Sequence, residues 1–211
     1  MRKPWVVAAA GMAVAVVALL LVSALQSTSL AFTLGVQPAF PVVELERGQQ
    51  VCQGDIEVPP GAGFDRVRLK VDPPSRDVRV EVVDAAKVAV VARGDLGASR
   101  DVARVGDVPE KSKIRVCVAN RGSRVVRVYG NPDVAAPPTT AMLDGNPTGA
   151  DVALVFERES RSRFSLIGAM ADRASLFKVS WFGGWTFWLL GLAVLLAVPV
   201  LLVRALRGLE E

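Results

Sequence analysis

The chain has 211 residues, 51% of them hydrophobic and 22% charged, with no histidine and a formal net charge of +4. Lack of histidine removes the usual general base, the Ser-His-Asp and Cys-His nucleophile systems and histidine-ligated zinc. No Walker loop, Rossmann glycine fingerprint or G-x-S-x-G elbow takes their place, so no catalytic residue, no resident metal and no cofactor is expected.

The chain opens with a short amino-terminal segment, 1–4, carrying Arg2 and Lys3, followed by 21 uncharged residues from Trp5 to Leu25. About 20 apolar residues cross a bilayer core of ~30 Å as a helix, so 5–25 is expected to be a first transmembrane helix. Basic residues beside a span mark its cytoplasmic side, which puts the amino terminus inside. A cleaved secretory signal, with Val22-Ser23-Ala24 as the cleavage site, is the competing reading.

Residues 26–39 read as a linker, and 40–160 as an extracytoplasmic antiparallel β-sandwich. Short alternating segments divided by Pro, Gly, Asn and Asp are the pattern of such folds. In FDRVRLKV, 64–71, Val67, Leu69 and Val71 face one way and Arg66, Arg68 and Lys70 the other, while Phe64 stands out of phase. Further strands are expected at 40–46, 50–58, 77–83, 87–92, 101–105, 113–119, 124–129 and 151–157, about nine in all. The breaks PPGAG, DPPS, NRGS, NPD and DGNPTG supply turn chemistry. Jelly-roll and immunoglobulin-like topologies both fit. The return of both domain ends to one membrane face favours a jelly-roll-like arrangement with its first and last strands adjacent.

The two cysteines, Cys52 and Cys117, fall in the external part, where disulfides persist, and are expected to pair with each other. Two buried free thiols are the alternative. Cys117 lies on the opposite face from Ile114, Val116 and Val118, so pairing calls for a bulge or a second buried face.

Candidate ligand contacts lie in the loops. Tyr129, Asn131, Asp133, Asp144, Asn146 and Asp151 combine one aromatic with clustered amide and carboxylate oxygens. An aromatic face suits the apolar C–H face of a sugar, and the oxygens suit either turn formation or calcium. Acid pairs drawn from Asp55, Glu57, Asp65 or Glu81 offer a glycoside-cleaving alternative. Arg93-Gly94-Asp95 reads as ordinary turn material.

From 161 to 180, Ile167, Met170, Ala174 and Phe177 recur at helical spacing, with Ser165, Gly168, Asp172 and Ser175 opposite, which predicts a juxtamembrane amphipathic helix. The second transmembrane helix is expected within 181–203, since the 19 residues from Trp185 to Val203 carry no charge. Indole rings settle where lipid tails give way to headgroups, so Trp5, Trp181, Trp185 and Trp188 are assigned to membrane interfaces. Arg204 and Arg207 place the tail, 204–211, in the cytoplasm with the amino terminus, and the middle of the chain outside. That external part carries 21 basic and 19 acidic residues without a strong block, which does not imply nucleic-acid binding.

The pieces VCQGDIEVPP, VCVANRGSRVVRVYGNP and SLFKVSWFGGWTFWLL, in this order, resemble a family of two-transmembrane envelope proteins of high-GC Gram-positive bacteria with a galactose-binding-like jelly-roll ectodomain. Arginine outnumbers lysine 19 to 6, in keeping with such a genome. The resemblance covers 40–205 and implies a place beside surface-glycan glycosyltransferases, with no catalytic residue to carry over. The expectation is a non-enzymatic, membrane-anchored recognition or scaffolding protein of the cell envelope. Its partners would be the membrane, a cell-surface glycan and a membrane protein. A structural subunit that positions a membrane enzyme or transporter through its spans and the 161–180 helix is the second reading.

Overall fold

A computed structural model describes residues 4–97, 100–132, 140–168, 170–171 and 183–208. Two compact units result: Ser29–Glu159, which holds nearly all the strands, and the two chain ends, Met1–Thr28 with Ser160–Glu211.

The β unit is built from antiparallel strands: β1 Ser27–Thr33, β2 Phe40–Leu45, β3 Gln50–Glu57, β4 Phe64–Leu69, β5 Val71–Asp72, β6 Val78–Asp84, β7 Ala89–Gly97, β8 Arg100–Val108, β9 Lys113–Asn120, β10 Val126–Pro132, β11 Met142–Leu143, β12 Asn146–Pro147, β13 Ala150–Val152 and β14 Leu154–Ser162. One sheet runs β1-β14-β4-β8-β7-β6-β9-β3-β11-β12, and the other runs β13-β10-β2, with β5 also on β10. The two enclose a core dominated by valine, including Val51, Val67, Val78, Val80, Val82, Val116, Val118 and Val128. Branching at Cβ suits these side chains to a pleated, half-buried surface. One end of the core is aromatic: Phe32 stacks on Phe156 at 4.2 Å, and Phe64 meets Phe156 edge-on at 4.7 Å.

Most expected strands are present, with informative departures. Ser27–Thr33, read as linker, is the edge strand β1 beside the last strand, β14. Phe64 keeps its place in the core, 2% exposed, because the β4–β8 register slips between Phe64 and Arg66. Arg93-Gly94-Asp95 is not a turn: it lies inside β7, and Asp95 bonds Arg79 at 2.8 Å. Gly94 is required there because an added Cβ would sit 1.9 Å from the carbonyl oxygen of Arg104. Cys52 and Cys117 form a disulfide, directly opposite one another in the β3–β9 ladder with Cα atoms 4.0 Å apart. Beyond Cys52, the bulge between Gln53 and Ile56 returns Ile56 to the core.

In the other unit, α1 spans Pro4–Leu25 and α2 spans Gly184–Gly208, and the two helices touch. Pro4 opens α1, where its missing N–H costs nothing. Gly184–Leu201 of α2 is long and apolar enough to cross a membrane, with mean hydropathy 2.0 and 0% of it buried; α1 holds a shorter apolar stretch, Ala10–Leu25. Of the expected amphipathic helix at 161–180, residues 161–162 complete β14 and Phe164–Leu166 form a 3-10 turn, while 167–168 and 170–171 are helical as expected. The part from 172 to 180 lies outside the described residues.

Candidate functional site

The site is a groove of about 330 Å³ in the β unit, lined by Phe32, Leu34, Val36, Ile56 and Pro59 on the apolar side and by Gln53, Glu57 and Asp151 among its polar groups. Four separate segments supply it: β1 and the residues after it, β3, the β3–β4 connection, and β13.

Gln53 organises this groove. It stands in phase with Val51 on the core face of β3 and is only 4% exposed, so its amide must be satisfied internally. Its Nε2 donates to Asp151 Oδ1 at 2.8 Å, and its Oε1 accepts from the Val152 backbone N–H at 3.0 Å. One side chain thus ties β3 to β13 across the two sheets and orients a carboxylate at the groove. Phe32, from the edge strand, is fixed by its stack on Phe156 and lends the groove a half-buried aromatic. Sequence reasoning missed Phe32, Gln53 and their meeting. The available signal was a polar residue at a core-facing strand position, VCQ, which needs a partner.

The six candidate loop residues divide into separate places. Asn131 is paired with Asp151 in the β10–β13 register, and Gly130 beside it admits the close crossing, since a Cβ there would lie 1.9 Å from the Asp151 carbonyl oxygen. Tyr129 is half-buried and carries the Lys70 Nζ over its ring at 4.2 Å, so that face is taken by a cation rather than left open to a sugar. Asp144 and Asn146 belong to the β11–β12 hairpin, turned by Asp144-Gly145 with φ of 47° and 89°. The Asp144 carboxylate accepts from the Gln50 N–H at 3.2 Å, which clasps the hairpin to β3. Asp133 lies outside the described residues. Of the six, only Asp151 lines the groove. Among the described residues no three His, Cys, Asp or Glu side chains gather as a metal would need.

At the expected membrane interface, Trp185 and Trp188 stand in the first turns of α2, 56% and 55% exposed. Trp5 lies in the first turn of α1, and Trp181 falls outside the described residues.

Of the acids weighed for hydrolysis, three stand among different neighbours, and the Asp55 side chain lies outside the described residues. Glu57 lines the groove, Asp65 bonds Arg66 at 3.1 Å, and Glu81 faces Arg121 at 3.6 Å. A second hollow, about 490 Å³, lies over Arg66, Arg68, Arg104, Asp101 and Glu157, where Arg68 pairs with the buried Glu157. Elsewhere, hydrogen bonding from Arg79 holds the Asp95 carboxyl below the usual carboxylate range and raises the Arg79 guanidinium in turn. Both groups face solvent, so this pair is a surface contact. No family model and no curated protein matches the sequence.

Proposed function

We propose that the protein is a non-catalytic, membrane-anchored recognition subunit of the cell envelope, whose β-sandwich takes a saccharide in the Phe32–Gln53–Asp151 groove. The groove carries this reading. Apolar walls from Phe32, Leu34, Val36 and Ile56 suit sugar C–H faces, while the Glu57 and Asp151 carboxylates supply acceptors for hydroxyls. Adjacency of β1 and β14 supports the jelly-roll-like reading, in which both domain ends leave together. Anchoring would use both helices as spans with both termini inside. Leu and Val stand exposed around them, Val14 at 69%, Leu19 at 67% and Leu201 at 63%, and such all-round apolar surface calls for lipid.

Glycan-array binding by the full-length protein in detergent tests the reading. Binding that Phe32→Ala and Asp151→Asn both abolish supports it, and equal binding by parent and variants overturns it. In the second reading, α1, α2 and the segment between β14 and α2 bind a membrane enzyme or transporter. Co-purification of a partner that survives removal of residues 29–159 would favour this one.

A further inference from the structure

The β6–β7 hairpin has a tip that the fold alone does not explain. Its sequence, Ala85-Ala86-Lys87-Val88-Ala89-Val90-Val91, is apolar but for one lysine, yet Val88 is 78% exposed, Val90 51% and Val91 50%. Val88 also has φ of 53°, a left-handed conformation that β-branched residues avoid and that glycine or asparagine would accept readily. The conformation is enforced. Asp84 accepts the Ala86 and Lys87 N–H groups on its carboxylate at 2.9 and 3.0 Å, and the Val88 N–H on its carbonyl at 2.9 Å. Strain kept in order to present a valine to solvent points to function rather than stability.

Strand direction gives the occupant. Glu157 pairs with Arg66 and Phe64 with Val108, so the exit of β14 lies at the same end of the sandwich as the start of β4 and the end of β8. Asp84 pairs with Ile114 and Glu57 with Lys113, which brings the β6–β7 tip to that end too. Hydrogen bonds join the connections there. Arg158 Nη1 donates to Gly61 O, the Gly61 N–H donates to Glu110, Lys111 N–H donates to Val58 O, and Ala85 N–H donates to Lys113 O. The last residues of the β unit, at Glu159, therefore lie at the end that carries the apolar tip. Lys87, Lys111 and Lys113, three of the four lysines between residues 29 and 159, are also at this end. Lysines flanking exposed apolar side chains suit an anionic headgroup layer.

We propose that the β6–β7 tip inserts Val88 and Val90 into the outer interface of the bilayer, with Lys87 among the headgroups, as a second and weaker contact that fixes the sandwich against the membrane. This rests on the anchored reading above. It is tested on full-length protein reconstituted in vesicles of phosphatidylcholine and phosphatidylglycerol, with an environment-sensitive fluorophore on single substitutions Val88→Cys, Lys87→Cys, Ser123→Cys and Leu192→Cys. Ser123 lies at the opposite end of the sandwich, after β9, and Leu192 lies in α2. Labels at 87 and 88 should emit at shorter wavelength than the label at 123 and be quenched by lipid-borne rather than aqueous quencher. Quenching by lipid at 192 but by water at 87 and 88 overturns the insertion and leaves anchoring intact. Aqueous quenching at 192 as well overturns both. Labels at 87 and 88 shielded from both quenchers would indicate a protein against the tip and also overturn the proposal.

Discussion

Replacing Gln53 by leucine tests the inter-sheet tie and the groove together. Leucine has similar volume and belongs at a core-facing position, so its added apolar burial offsets some of the loss, by about 1–2 kcal/mol. Against that, the Val152 N–H, in a residue only 1% exposed, loses its acceptor, at about 1–3 kcal/mol. Asp151 loses a donor at 2.8 Å, and a hydrogen bond to a charged group is worth about 1.5–3 kcal/mol. The balance is a destabilisation of about 2 kcal/mol, or a fall in Tm of roughly 6–10 °C for a domain of this size. Far-ultraviolet circular dichroism of the full-length protein in detergent, followed in the β region, measures it. Gln53→Glu should fall further at neutral pH, since a carboxylate would then face Asp151. A Gln53→Leu protein that melts within a degree of the parent would refute the inter-sheet role.

Other outcomes follow from the same contacts. Val88→Asn should raise stability by about 1 kcal/mol by relieving the left-handed valine, read as a higher denaturant midpoint with unchanged slope. Removing the disulfide through Cys52→Ala with Cys117→Ala should cost about 4 kcal/mol on the chain-entropy estimate for its sequence separation of 65, seen as a fall in the same midpoint. Phe156→Ala, at a residue 0% exposed between Phe32 and Phe64, should cost about 3–5 kcal/mol and weaken any ligand held at Phe32. The lowered Asp95 carboxyl stabilises the fold above the ordinary carboxylate value near pH 4, and that small contribution disappears as pH falls through its folded value. Asp95→Asn should accordingly lower Tm slightly at neutral pH and leave it unchanged at acid pH, which narrows the difference between the two.

The strands were legible where alternation was regular and the breaks carried Pro or Gly, as in FDRVRLKV before its DPPS turn. STSLAFT was not, because small polar residues resemble a linker, and its pairing with β14 joins residues more than a hundred positions apart, as in Thr33 Oγ1 to Leu154 O. Gly94 reads as a turn signal in sequence, whereas in space it marks a strand crossing that leaves no room for a Cβ. β11 and β12, two residues each, are too short for any period to emerge, although Asp144-Gly145 announced a tight turn. The groove was hidden for a related reason. Phe32, Gln53, Glu57 and Asp151 lie on segments that meet only after the sheets close, and no local pattern records that meeting. Tyr129 was visible, but the lysine over its ring was not.

We propose that apolar helices hold the β-sandwich outside the cell. The most direct test is a membrane-impermeant maleimide applied to intact cells making the full-length Gly145→Cys protein, at the exposed tip of the β11–β12 hairpin. Reaction without lysis, in protein that sediments with membranes and dissolves only in detergent, is the expected result. Reaction only after lysis, or protein that stays dissolved without detergent, would contradict the account.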